Sequence, residues 1–128
     1  MGTMVKGICL DTDICIELLN AKPITPRILQ RIAGRKICIS SISVFELMLR
    51  ETNLDQIAFF LSKFDILAFD DDAAKIASTL DKKLKKEGRR IDVRDLFIAS
   101  ICIQNECEFL TLNRTHFERV EGLSLIEF

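Results

Sequence analysis

Three carboxylates and one amide stand where apolar runs of this 128-residue chain stop. Asp11 ends the run KGICL, Glu46 lies in the first turn after ICISS, and Asn113 follows FLTL. Asp95 sits in the first turn of a helix opened by Asp92. Carboxylates gathered beyond strand ends suit a hard cation, because Mg²⁺ is held by one or two carboxylates plus waters and substrate phosphates. Such an ion lowers the pKa of a water and neutralises charge developing on a phosphoryl oxygen. Each acid also has a plainer use. Ser43-Val-Phe-Glu46 fits a capping box, in which Glu46 only satisfies a backbone N–H. Asp92-Val-Arg-Asp95 reads equally as an N-cap followed by an acid that complements the helix dipole. Asp11 and Asp13 could flank a helix start, and Asp13 with Glu17, four apart on one helical face near Asp11, reads as a solvent-facing stripe in preference to a pair adding outer water contacts to the site.

Other chemistries have less to work with. His116 is the single histidine, which removes any mechanism that needs two, and no serine or cysteine has an obvious basic partner. The five cysteines, Cys9, Cys15, Cys38, Cys102 and Cys107, include no C-x-x-C pair and all lie in apolar stretches. They read as reduced core residues of a cytoplasmic protein rather than as a zinc site or a disulfide framework.

The elements that must position the acids follow from the hydrophobic pattern. Short apolar runs at 6–10, 36–40, 65–69 and 108–111 read as strands, with 123–128 a candidate fifth at the edge. Between them, helical spacing covers 14–19, 26–33, 43–50, 53–63, 73–87 and 92–105. Pro26 starts the second helix, Asn53 is placed as the N-cap of the fourth, and Asp70 to Asp72 suit the entry of the fifth, which Gly88 breaks. Strands alternating with helices, and strands apolar along their length, predict an α/β fold in three layers, α/β/α, around a parallel sheet of four to five strands. In such sheets ligands bind beyond the carboxyl ends of the strands. That is where the acids are.

Composition sets the bounds. Hydrophobic residues make up 48% and charged residues 29%, with 5 Gly and 2 Pro, which excludes collagen-like, low-complexity and wholly disordered chains. One domain over 1–128 is expected, with Met1-Gly2-Thr3 ahead of a second methionine read as an added remnant. The longest largely apolar run, 96–103, falls far short of the roughly 18 residues a bilayer crossing needs, so no membrane role is expected. The formal net charge is −1, yet residues 82–90, KKLKKEGRR, hold six basic groups against one acid. A polyanion would have to be held at that patch. Arg89, Arg90 and Arg94 are its better candidates, since a guanidinium presents a fork to phosphate. Phe59, Phe60, Phe64 and Phe69 read as core or interface, and the apolar excess in 42–49 and 54–61 suits a partner surface.

The strings GICLDTDICIELL, SISVFELMLR and IDVRDLFIASICIQNECEFLTLNRTHFERVEGLSL resemble the PIN-domain family, and within it the VapC-type toxins of toxin–antitoxin pairs. The likeness spans nearly the whole chain in order, and D-L-F-I-A-S, F-L-T-L-N and H-F-E-R-V-E-G-L carry it most specifically. It implies a Mg²⁺- or Mn²⁺-dependent endoribonuclease with Asp11, Glu46 and Asp95 as its acids; on that footing Asp11 and Asp95 anchor the ion, Glu46 binds it or orients a water, and Thr12 and Thr111 hydrogen-bond the acids or the water. The family's fourth position is Asp or Asn and here is Asn113, leaving three formal acids rather than four. An aspartate common before the following phenylalanine is replaced by His116, and no metal role is carried to it. The resemblance also implies an RNA substrate, a homodimer and a cognate antitoxin. Two rival readings remain at this level. Asp11-x-Asp13 after a strand, with Ser40 or Ser41 as a later hydroxyl, matches the opening of haloacid-dehalogenase-like phosphatases, where Asp11 would be a covalent nucleophile. A non-enzymatic interaction module, its acids all caps, is the other.

Overall fold

The computed structural model describes residues 6–128; the remnant expected at 1–3 lies outside them. The chain runs β1 (Ile8–Leu10), α1 (Thr12–Leu19), α2 (Thr25–Ile32), β2 (Ile37–Ser40), α3 (Ser41–Met48), α4 (Leu54–Leu61), β3 (Asp65–Leu67), α5 (Asp71–Lys86), α6 (Val93–Gln104), β4 (Glu108–Leu110), α7 (Arg114–Phe117) and β5 (Ser124–Leu125). The five strands are all parallel, in the order β3-β2-β1-β4-β5. The three-layer parallel fold expected from the pattern is the one formed.

Strand pleating explains the two cores. Ile8 and Leu10 point to one face of β1 and Cys9 to the other, since side chains alternate. Ile8, Leu10, Ile39 and Leu110 join Ile14, Ile28, Leu47 and Ile57 under α1 to α4. Cys9, Cys38 and Phe109 join Ala77, Leu84, Ile98 and Cys102 under α5 and α6. Both faces of the sheet are therefore covered over its centre, which is why β1 is wholly apolar and buried, while the edge strand β3 is exposed at Asp65 and Ile66. All five cysteines are free and buried.

Several boundaries differ from the sequence reading, each for a local reason. Asn53 takes a left-handed backbone (φ 61°) and makes no side-chain cap bond, so α4 starts without one. The edge strand shrinks from 123–128 to Ser124–Leu125, and β3 ends at Leu67. The four-residue helix α7 is too short to show a period in the sequence and was not expected. At α5 the reading holds: the Asp70 carboxylate accepts from Ala73 N at 2.9 Å, and Gly88 beyond the helix has φ 66°, a conformation glycine adopts without strain.

The arrangement fixes where ligands can reach. β1 lies centrally, with β2 on one side and β4 on the other. The chain leaves β1 towards β2 and later returns to β4, so the order of strands reverses between β1 and β4. A crevice opens beyond the carboxyl ends of strands at such a switch point. Asp11 leaves β1 there, and Thr111 to Asn113 leave β4.

Candidate active site

Asp11 is positioned twice over. Its backbone N–H bonds Leu110 O of β4 at 2.9 Å, tying the two strand ends together. Its carboxylate then accepts from Thr12 N at 2.8 Å, capping α1, and from the Thr111 hydroxyl at 2.7 Å. The group is 7% exposed. Burial, then the nearby Asp13 charge, push its pKa up to about 7 against the pull of its hydrogen bonds, and Asp95 adds to the rise.

Glu46 sits on α3, and the helix start decides its freedom. The N-cap is Ser40, whose hydroxyl accepts from Ser43 N at 3.1 Å. The expected capping box from Ser43 to Glu46 is therefore not formed, and Glu46 is released towards the strand ends. The Thr12 hydroxyl donates to Glu46 Oε1 at 2.6 Å, and Arg94 Nη1 stands 3.6 Å from Oε2. At α6 the cap is Asp92, accepting from Arg94 N at 2.9 Å, which leaves Asp95 free of backbone duty. Asp95 Oδ2 lies 3.0 Å from His116 Nε2 on α7. Burial raises the Asp95 pKa, His116 opposes the rise, and Asp92 and Glu46 add to it.

Residues from β1, α1, α3, α6 and the β4–α7 turn thus meet at one edge of the sheet. Thr12 links α1 to α3, and Thr111 links β4 to β1. Asn113 is exposed; its backbone N–H donates to Thr111 Oγ1 at 3.0 Å, and its side chain makes no cap bond to α7. Arg94 is on the rim through Glu46. Arg89 and Arg90 are exposed on the loop before α6, where Arg90 Nε lies 3.5 Å from Asp81 Oδ1.

For one residue the sequence reading preferred the plainer of its two alternatives. Asp13 is no solvent-facing stripe: its Oδ2 accepts from Leu112 N at 3.1 Å, and burial raises its pKa. The i to i+2 spacing from Asp11 at a strand-to-helix junction was the available signal. His116 likewise enters only through α7, whose existence the pattern did not reveal.

The donor set suits a hard divalent ion. Its atoms are carboxylate oxygens, hydroxyls and an amide, with no thiol among them. Asp11 is a buried acid under like-charge pressure, and Asp13 Oδ1 is a buried oxygen with no partner. Both would be relieved by a cation. Among the described residues, no three carboxylate, imidazole or thiol groups are already drawn up to share an ion. Asp11 is engaged by Thr111, Glu46 by Thr12 and Asp95 by His116, contacts that leave each carboxylate further lone pairs for an ion.

A family model described as PIN domain matches residues 8–123. The chain belongs to the PIN-domain family. It is 34% identical over 121 residues to the tRNA(fMet)-specific endonuclease VapC of Shigella flexneri, covering 89% of this chain and 92% of that relative. It is 38% identical over 92 residues to ribonuclease VapC3 of Methanocaldococcus jannaschii, covering 72% and 94%. Among solved structures it is similar to the VapBC complex of Salmonella typhimurium bound to DNA, with a TM-score of 0.84, 26% identity and 95% and 98% of the two chains covered. The VapBC2 complex of Rickettsia felis, bound to a promoter DNA fragment, gives 0.81, 29%, 93% and 96%. These matches answer the phosphatase reading of Asp11-x-Asp13, and the released Glu46 and Asp95 answer the reading of every acid as a cap.

Proposed function

We propose that the chain is an endoribonuclease, the toxin of a toxin–antitoxin pair, which hydrolyses RNA phosphodiester bonds with Mg²⁺ or Mn²⁺ at Asp11, Glu46 and Asp95. What supports this reading is that Thr12 joins Asp11 to Glu46 beside the β1–β4 switch point, with Asp95 close enough to add to the rise in the Asp11 pKa, in a chain of the PIN-domain family. The named activities of its relatives point the same way.

Asp11, Asp95 and Glu46 would hold the ion, with Asn113 offering a carbonyl at the edge of the site. When bound, the ion activates a water and neutralises charge on the scissile phosphate. The chain's own residues set the stage for that step. Thr111 fixes the Asp11 carboxylate, and Thr12 fixes Glu46, so the acids meet the incoming groups already oriented. Orientation of this kind accounts for a large part of a hydrolytic rate, since it spends entropy before the reaction begins. Glu46 is placed to orient a water, and Arg94 beside it to contact a phosphate oxygen. Arg89 and Arg90 extend the basic path along which RNA would lie.

The partners follow from the surface. Phe45, Leu49 and Phe59 are 53%, 59% and 67% exposed on or beside α3 and α4. Such a patch suits a second copy of the chain or an antitoxin segment. The solved VapBC complexes support a cognate antitoxin. No helix among the described residues is long and apolar enough to cross a membrane, and we place the protein, as one domain, in the cytoplasm.

Incubation of single-stranded RNA with the protein and Mn²⁺ tests the function. Cleavage is expected from the natural chain, none with chelator, and none from Asp11→Asn or Asp95→Asn. Undiminished cleavage by both variants would refute the assignment.

A further inference from the structure

Asn113 brings no charge to the β4 side of the site, because an amide offers a carbonyl and two N–H donors only. Across the same strand exit stands Asp13, in the first turn of α1. Its Oδ2 accepts from Leu112 N at 3.1 Å and lies 3.5 Å from Thr111 Oγ1. The Thr111 hydroxyl has one proton, and the shorter 2.7 Å contact gives it to Asp11. Asp13 is therefore held chiefly by the Leu112 N–H, with the Ile14 N–H also near its carboxylate. Its other oxygen, Oδ1, is buried with no partner at all. An unsatisfied buried acceptor is costly, so a group that persists in that state calls for a ligand that satisfies it. The Asp13 charge is also close enough to Asp11 to act on it strongly.

We infer that Asp13 is the fourth carboxylate of the site, presenting from α1 the negative charge that Asn113 does not bring from β4. The inference rests on the divalent-ion reading above. It makes the formal acid count four, with two acids on the Asp11 side of the crevice. The free Oδ1 is the atom that meets the ion or a water bound to it, while the bond to Leu112 N keeps the carboxylate aimed. Glu17, one helical turn further along α1, makes no side-chain contact of this kind with β4 among the described residues and is not part of the group.

Calorimetric titration of Mn²⁺ into the whole protein reads this directly, without recourse to activity. Asp13→Asn is expected to weaken Mn²⁺ binding about tenfold or more, with the far-ultraviolet circular dichroism of the ion-free protein unchanged. Adding Asn113→Asp to Asp13→Asn is expected to recover most of the loss, whereas the same change in the natural chain has a much smaller effect. Should Asp13→Asn fail to fold, Asp13→Ser keeps an acceptor for Leu112 N and serves the same comparison. An affinity within about twofold of the natural chain overturns the inference, as do equal effects of Asn113→Asp in the two backgrounds. The two readings fail differently. Mn²⁺ binding that Asp11→Asn abolishes and Asp13→Asn spares defeats only the role of Asp13. A natural chain that binds no Mn²⁺ defeats the ion reading with it.

Discussion

Asp11 shows how a functional side chain is kept at the expense of stability. Burial, reinforced by Asp13, raises its pKa from 3.8 to about 7. Between those values the folded ion-free protein keeps the proton and the unfolded chain has lost it. The folded state binds more protons there, so stability falls as pH rises through the interval and the loss is complete above about 7. The full effect is on the order of 4 kcal/mol for a shift of this size. In chelator, Asp11→Asn is therefore expected to melt above the natural chain at about pH 8, with the gap narrowing as pH falls and closing towards about pH 4. A thermal melting series across that range checks it, and a gap independent of pH contradicts it. Activity and stability then move in opposite directions on one substitution, as expected of a strained site. At this scale the sequence identified the acids by their place after apolar runs. It ranked a solvent-facing stripe above a water contact for Asp13, because a carboxylate at i+2 from a strand end looks solvated until the turn after β4 supplies Leu112 N beside it.

At the scale of elements, helix starts decide which acids are free. Ser40 caps α3 and Asp92 caps α6, so Glu46, six residues on, and Asp95, three residues on, have no backbone donor to satisfy. Sequence pattern recognised both helices but chose the wrong serine in α3. Three serines in four residues fit the motif equally well, and only backbone geometry selects among them. Ser40→Ala is expected to cost about 1–2 kcal/mol of stability by removing the cap bond to Ser43 N in a buried position. It should also lower the cleavage rate, since the first turn of α3 holds Ser43 beneath Thr12, their hydroxyl oxygens 2.9 Å apart. Urea unfolding and a single-turnover assay measure the two. Unaltered stability would show that the cap does not hold α3. The missed α7 belongs here too: four residues give too few turns for a period, yet they place His116 against Asp95.

Over the whole molecule, charge and apolar surface divide the work of recognition. Arg94 is a basic side chain that reaches the acids, through Glu46, while Arg89 and Arg90 lie farther back on the loop and Lys83 is paired with Glu121. Arg94→Ala is accordingly expected to lower cleavage itself. Arg89→Ala with Arg90→Ala should chiefly weaken RNA binding and flatten its salt dependence, by a slope of about 0.7 per lost phosphate contact on single strands. Affinity measured across a salt series separates these, and an unchanged slope removes the loop from the binding path. On α3, Phe45 and Leu49 are exposed while Glu46 and Leu47 between them turn inwards. A partner seated on that helix would sit against the back of the site. Phe45→Glu with Leu49→Glu is expected to lower the sedimentation coefficient of the chain or to abolish antitoxin capture. Retention of both would leave the patch without a partner role.

The order of strands and helices, their parallel sheet and the apolar faces of both layers were set by residue pattern alone, because period and burial are local consequences of sequence. Which acids share an environment was not. Thr111 and Asp11 are a hundred positions apart, and Thr12 and Glu46 thirty-four. The pairing of β2 with β1 brings the second pair together, and the return of the chain from β3 across to β4 the first. Proximity between distant residues is a property of topology, and there the tertiary structure decides.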